Sequence, residues 1–179
     1  MYSDTHPTNV LKFCPRCGSS RFPATSDRSF CCQDCAFNYY VNSAAAVAVL
    51  LFNQTGELLF TRRAIEPYRG KLDLPGGFVE PMETGEQAAI REIQEELGIP
   101  IHSLNYFCSQ PNEYIFSDYS VFTLDMAFTA KTEFLHEMTA MDDISSFEFI
   151  NPRAIDRNEL PSISMKKIIQ ELIHREGTY

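Results

Sequence analysis

Hydrophobic positions fall into two kinds of run along this chain. Val47-Ala48-Val49-Leu50-Leu51-Phe52 is short and continuous, which predicts a buried strand. Asn53-Gln54-Thr55-Gly56 predicts a turn, and Glu57-Leu58-Leu59-Phe60 predicts the strand that returns from it. Between 85 and 97 the period becomes helical. Thr84 with Gln87 three residues on has capping-box spacing, and Gly98 followed by Pro100 stops the helix. Ala89, Ile90, Ile93 and Leu97 form the stripe expected to take the core. Further strands are predicted around 104–109, 121–128 and 147–150. Met165, Ile168, Ile169 and Leu172 recur at i, i+3, i+4 and i+7, so a last helix packs one face on the body.

The first forty residues follow neither pattern. Residues 1–13 are polar and read as loose. The block 14–35 is rich in Ser, Arg and Pro, poor in aliphatics, and holds every cysteine except Cys108. A segment that cannot bury a core usually needs a metal to fold. The composition changes after Tyr39-Tyr40, which places a boundary near residue 41 and gives segments 1–40 and 41–179.

Composition is that of a globular protein, with 44% hydrophobic and 22% charged residues. A net charge of −9 argues against sequence-independent binding to DNA, which rests on many cation–phosphate contacts. Contact with an RNA end has only Lys12, Arg16, Arg21 and Arg28 to support it. A small anionic substrate stays compatible, because a divalent cation can supply positive charge locally. The run Ala44–Phe52 is too short to cross a bilayer and no secretory signal is visible, so a cytoplasmic protein is expected.

Cytosolic thiols stay reduced, which bears on the cysteines. Cys14-Pro-Arg-Cys17 and Cys32-Gln-Asp-Cys35 are paired CxxC turns separated by fourteen residues. Two such turns make a four-sulfur tetrahedral site suited to structural Zn²⁺, with disulfides or unrelated thiols as the competing reading. Cys31 could compete as a ligand but breaks the spacing. Cys108 lies in an apolar run and reads as a core thiol. His6, His102, His136 and His174 have no partners at ligand spacing and read as surface residues.

The predicted helix carries Arg91-Glu92-Ile93-Gln94-Glu95-Glu96. Glu92, Glu95 and Glu96 stand at i, i+3 and i+4, so their carboxylates share one side and repel one another. This pattern fits a solvated acidic face, and it equally fits an oxygen-donor site for Mg²⁺ or Mn²⁺. The Leu74-Pro75-Gly76-Gly77 loop just before the helix can bring backbone close to a ligand.

The stretch Gly77-x5-Glu83-x7-Arg91-Glu92-Ile93-x-Glu95-Glu96-x-Gly98-Ile99 resembles the Nudix box. Leu59-Phe60-x-Arg62-Arg63 and Gly70-Lys71-Leu72-Asp73-Leu74-Pro75-Gly76-Gly77 also look like that family, and the likeness covers roughly residues 41–155. The resemblance implies an α/β (α+β) fold, the Nudix α/β/α sandwich with a mixed sheet, here preceded by a small zinc ribbon. It implies a metal-dependent hydrolase of nucleoside diphosphate linkages, with a homodimer as the family expectation. By position, Glu92 and Glu96 become the principal Mg²⁺ or Mn²⁺ ligands, Glu95 a further ligand or the general base, and the Gly76 carbonyl another ligand. Glu83 pairs with Arg91 to hold the loop, and Asp143 is the candidate downstream carboxylate. Arg62, Phe78, Glu80 and Tyr114 are the candidate substrate contacts, Phe78 having a core residue as its alternative. Of Arg62 and Arg63, one is expected to be a structural ion-pair residue.

A zinc ribbon before such a domain resembles the NADH pyrophosphatase branch. Ser109-Gln110-Pro111 matches the start of that branch's SQPWPFPxS array, but Asn112-Glu113-Tyr114-Ile115-Phe116-Ser117 follows, without the Trp and the later prolines. The expected substrate is of the NAD(H) or ADP-ribose kind. A broad-specificity, sugar-nucleotide or nucleoside triphosphate hydrolase is the alternative, as is a non-catalytic module that senses a nucleotide or RNA end.

Overall fold

The computed structural model describes residues 3–176, without the side chain of Glu176; residues 1 and 2 of the expected loose leader lie outside it. The chain divides into two compact units. The first comprises Met1–Ser43 and Glu113–Phe122, the second Ala44–Asn112 and Thr123–Tyr179. The elements in chain order are α1 (Pro7–Val10), β1 (Ala24–Ser26), β2 (Ser29–Cys31), β3 (Asn38–Tyr40), β4 (Ala44–Leu51), β5 (Leu58–Arg63) and β6 (Leu72–Asp73). There follow α2 (Gly85–Leu97), β7 (Ser103–Phe116), β8 (Tyr119–Lys131), β9 (Ile144–Ile150) and α3 (Ile163–Glu176).

In the second unit, β4, β8 and β7 form one sheet in the order β4-β8-β7, with β4 parallel to β8. β6, β5 and β9 form another, antiparallel throughout. Because side chains alternate along a strand, each sheet feeds two cores. Val47, Val49 and Leu51 join Leu59, Phe128 and Ala130 beneath Ala88, Ala89, Ile93 and Leu97 of α2. Leu50, Leu58, Phe60 and Ala127 point the other way, onto Met165, Ile168, Ile169 and Leu172 of α3. This is the α/β/α layering that the resemblance implies, and the doubly buried run at 47–51 is its central feature. Cys108 lies in the α3-side core, as a core thiol should.

Helix α2 has the boundaries its caps predict. Thr84 accepts from Gln87 N, the Gln87 side chain accepts from Thr84 N, and Gly98 ends the helix in the left-handed region. Its buried face differs from expectation. Ile90 is 44% exposed, whereas Glu96 is buried beside Ala89, Ile93 and Leu97. The core stripe therefore runs one position round from Ile90 and includes a carboxylate.

β7 and β8 extend well beyond the predicted 104–109 and 121–128. Pro111 argues against a strand, but β7 is at the edge of its sheet, where half of the backbone N–H groups have no ladder partner to lose. Ser117 and Asp118, both at positive φ, close the hairpin.

The first unit holds the three-stranded sheet β1-β2-β3 and a small core of Cys14, Phe22, Phe30 and Cys32. The leader is not loose from residue 3 onward. His6 is buried, not at the surface as expected; its Nδ1 caps α1 by accepting from Thr8 N, and its ring lies 5.7 Å from that of Phe122. Ser120 N donates to the Thr5 carbonyl at 2.8 Å, and Ser120 Oγ bonds to Thr5 Oγ1 at 2.7 Å. Those partners come from 113–122, a hundred residues on in the chain, which is why local polarity misleads there. Among the described residues, no helix is long and apolar enough to cross a membrane.

Replacing Ile93, fully buried under β4, by Ala should cost about 2–5 kcal/mol of unfolding free energy. Ile90→Ala should cost under about 1 kcal/mol. Urea unfolding of both variants measures the difference, and equal losses would mean that the helix face is misassigned.

Candidate functional site

The site begins with a close approach of backbone to backbone. Val49 N donates to the Pro75 carbonyl and Val47 N to the Gly77 carbonyl, both at 2.8 Å, while Val79 N donates to the Ala45 carbonyl at 3.0 Å. The loop thus lies along β4 as an added strand. Gly76 has φ 143°, and a Cβ there would fall 2.1 Å from the Val47 carbonyl oxygen, so no side chain fits. A Cβ at Gly77 would fall 2.5 Å from Glu92 Oε1. The two glycines let the loop reach the carboxylates of α2.

Those carboxylates divide into two sets. Arg91 gathers one: its Nε donates to Glu83 Oε1 at 2.9 Å, its Nη1 to Glu92 Oε1 at 2.8 Å and to Glu95 Oε2 at 2.9 Å. Its Nη2 reaches Glu83 Oε2 and the Phe78 carbonyl, both at 3.0 Å. The Glu83–Arg91 pair expected of the resemblance is present; that Arg91 also holds Glu92 and Glu95 is new, although Arg91 and Glu95 stand at the i, i+4 spacing that signals such a pair. Arg91 pulls the Glu83 carboxyl below the usual carboxylate range.

Glu96 stands outside that network. It is 7% exposed, and its Oε2 accepts from Gly76 N at 3.2 Å. Burial, then the charges of Asp73 and Glu92, push its pKa up to about 9, with Asp143 adding to them. Burial likewise raises Glu92, with Arg91 opposing. A buried carboxylate among like charges costs free energy unless a cation joins it. Carboxylate oxygens are the donors a hard divalent cation takes. Among the described residues, however, Glu92, Glu95, Glu96 and Asp143 do not form a group of three or more whose ligand atoms lie within 4.8 Å of one another, as the four cysteines do.

Asp143 is exposed, and its backbone carbonyl accepts from Ala64 N at 2.7 Å. Phe78 is 48% exposed, so the core alternative fails; it bridges to Ala46 of β4. Glu80 is exposed, and its backbone N–H donates to Glu83 Oε2 at 2.9 Å. Tyr114 belongs to the first unit, stacked on Phe116 at 6.4 Å between ring centres. Both arginines of β5 are ion-paired, where one was expected to be. Arg62 binds Glu148 at 2.7 Å, Glu159 at 3.3 Å and the Gly70 carbonyl at 3.0 Å. Arg63 binds Asp73 and the Pro67 carbonyl, both at 2.8 Å. A phosphate at Arg62 would compete with those bonds.

In the first unit, Cys14, Cys17, Cys32 and Cys35 bring their sulfurs within 4.8 Å of one another. Gly18 N donates to the Cys14 carbonyl at 2.8 Å and Ala36 N to the Cys32 carbonyl at 2.9 Å, so each CxxC closes a tight turn. The Cys14–Cys35 and Cys17–Cys32 sulfur separations are 3.7 and 3.6 Å. A tetrahedral Zn²⁺ with bonds of about 2.3 Å calls for roughly 3.8 Å between sulfurs, so donors and spacing fit. Cys31 lies outside the cluster, its Sγ directed to the Cys32 carbonyl.

The family model for the NUDIX domain matches residues 42–172. The NAD-capped RNA hydrolase NudC of Salmonella heidelberg (strain SL476) is 36% identical over 100 residues, 56% of this chain and 38% of the relative. The protein of that name from Deinococcus radiodurans is 35% identical over 119 residues, 65% of this chain and 42% of the relative. The chain therefore spans about two fifths of the length of these curated relatives. In fold, it is similar to the crystal structure of a NUDIX hydrolase from Nitrosomonas europaea. The TM-score is 0.61 at 23% identity, over 90% of this chain and 88% of the other.

The raised Glu96 pKa predicts a pH-dependent stability when no divalent cation is added. A carboxyl raised in the fold contributes fully below the ordinary carboxylate range, and the contribution is lost as pH rises toward about 9. Glu96→Gln removes that loss. The Tm of the variant should gain on that of the parent steadily between pH 5 and pH 9, and a gap constant across the range would contradict the burial of a carboxyl there.

Proposed function

Since the chain belongs to the Nudix hydrolase family, we propose that it hydrolyses the diphosphate of a nucleoside diphosphate joined to a second bulky group, of the NAD(H) or ADP-ribose kind. The observation that carries this reading is Glu96, a buried carboxyl that accepts from Gly76 N and whose ionised form, set among the charges of Asp73, Glu92 and Asp143, is favoured only when a cation joins it. Mg²⁺ or Mn²⁺, when bound, would neutralise the diphosphate oxygens and make an attacking water more acidic.

We assign Glu92, Glu96 and the Gly76 carbonyl as ligands, with Asp143 completing the set from the loop before β9. Arg91 positions Glu92 and Glu95. Glu95 is exposed and takes the proton of the water as its oxygen attacks phosphorus and the bridging P–O bond breaks. Phe78 offers a ring face for a base, and Glu80 and Arg62 are further candidate contacts. Zn²⁺ at the four cysteines would be structural, since protein sulfurs fill every position.

Two features support a dinucleotide over a nucleoside triphosphate. Ser109-Gln110-Pro111 follows the box. The Salmonella and Deinococcus relatives are named NAD-capped RNA hydrolases, and an NAD cap carries a diphosphate between two nucleosides. Binding both halves gives remote interaction energy that can orient the phosphorus for attack.

Comparing kcat/KM on NADH, ADP-ribose, NAD-capped RNA, a sugar nucleotide and dGTP tests this reading. The dinucleotides should lead; a preference for dGTP would refute it, and equal rates on all would mean a broad-specificity enzyme. Glu95→Gln and Glu96→Gln should each lower turnover by on the order of 10²–10⁴-fold while leaving the fold intact. Near-normal activity of Glu96→Gln at saturating Mg²⁺ would undo the assignment.

Elemental analysis should find one zinc per chain, and Cys14→Ser should reduce it. Zinc-free protein with six reactive thiols would exclude the ribbon.

A further inference from the structure

The second unit has a groove of about 570 Å³ lined by Gln110 of β7 and by Lys167, Gln170, Glu171, Ile173 and His174 of α3, none of them a residue of the box. It is separate from the apolar face of α3, which Met165, Ile168, Ile169 and Leu172 commit to the core. Lys167, Gln170, Glu171 and His174 stand at i, i+3, i+4 and i+7, so one polar stripe of the helix faces Gln110. The volume lies within the roughly 300–1,000 Å³ of small-molecule sites.

The charges in this groove are unevenly matched. Glu171 accepts from Arg175 Nε at 2.9 Å, and Arg175 is itself fixed 4.4 Å over the Phe107 ring and to the Phe107 carbonyl at 3.1 Å. The Glu171 carboxylate is thus neutralised. Among the described residues, Lys167 has no ion pair or hydrogen bond of its side chain, and neither carboxamide, Gln110 or Gln170, is hydrogen-bonded. One uncompensated ammonium and two carboxamides with unused donors and acceptors therefore line one concavity, with Ile173 as its apolar wall. An ammonium suits a phosphate, and a carboxamide can pair with the donor and acceptor edge of a base.

We infer that the groove between β7 and α3 binds a nucleoside monophosphate, with Lys167 at the phosphate and Gln110 and Gln170 at the base. Its position gives Gln110 a role that does not depend on the hydrolytic assignment of the box. Such a ligand has the size and charge of one half of a cleaved dinucleotide.

Calorimetric titration of the full chain, without added divalent cation, with AMP, adenosine and inorganic phosphate tests this. AMP should bind, with both adenosine and phosphate at least tenfold weaker. Lys167→Ala should weaken AMP at least tenfold while adenosine is unaffected, and Gln110→Ala should weaken both. Phe78→Ala should leave AMP affinity unchanged, since that residue stands at the box. Lys167→Ala should keep the parent Tm and the parent turnover at the box. AMP binding that survives Lys167→Ala, or is abolished by Phe78→Ala, or is matched by phosphate alone, overturns the inference. None of these readings depends on which substrate is hydrolysed.

Discussion

Gly76 sits where a single added carbon would strike the Val47 carbonyl, and that steric limit governs the site beyond it. The 75–79 stretch can hydrogen-bond along β4 only because nothing projects between the two backbones. Lying there, it brings Gly76 N to Glu96 and Gly77 against Glu92. α2 needs comparable closeness from the other direction, and Ala88 and Ala89 at its buried face allow it. Small residues therefore set the depth at which the carboxylates sit, and the carboxylates take their electrostatic character from that depth.

Depth separates two kinds of acid on α2 and the loop that leads into it. Glu83, Glu92 and Glu95 share a single guanidinium, whose planar fork can serve several carboxylates at once. Glu96, one residue further, has a backbone N–H and three acidic neighbours. Glu92 and Glu95, on adjacent turns of α2, would repel one another were Arg91 absent, so the same arginine that orders the loop also keeps the helix compatible with its own charge. The net charge of −9 is a property of the surface and has little part in this arrangement.

Much of the frame is legible in sequence because its signals are local. The capping box at Thr84 and Gln87, the stop at Gly98 and the paired CxxC turns each involve residues a few positions apart. The unbroken run at 47–51 also declares itself, since only a strand covered on both sides needs it. What escapes is what depends on distant partners. Ile90 looks like core until the helix is docked, and Glu96 looks like surface until the glycine loop covers it. Arg62 and Arg63 look equivalent, yet Arg62 is drawn to acids far along the chain, Glu148 and Glu159, and Arg63 to Asp73 on the neighbouring strand. Pro111 conceals half of β7 because the edge position that tolerates it is a fact of topology, not of composition.

The first unit is not one uninterrupted stretch of chain. Residues 1–43 close on a ten-residue hairpin tip, 113–122, which the chain reaches only after most of the second unit has been laid down. Ser120 supplies the partner of Thr5, and Phe122 lies beside the His6 ring. Such an arrangement resists shuffling. A genetic exchange that transferred 1–43 alone to another protein would leave the hairpin tip behind, and a graft of the continuous stretch 44–179 would carry a tip without its complement. The two parts must be inherited together, and during synthesis the first to emerge must wait for the later one to complete it.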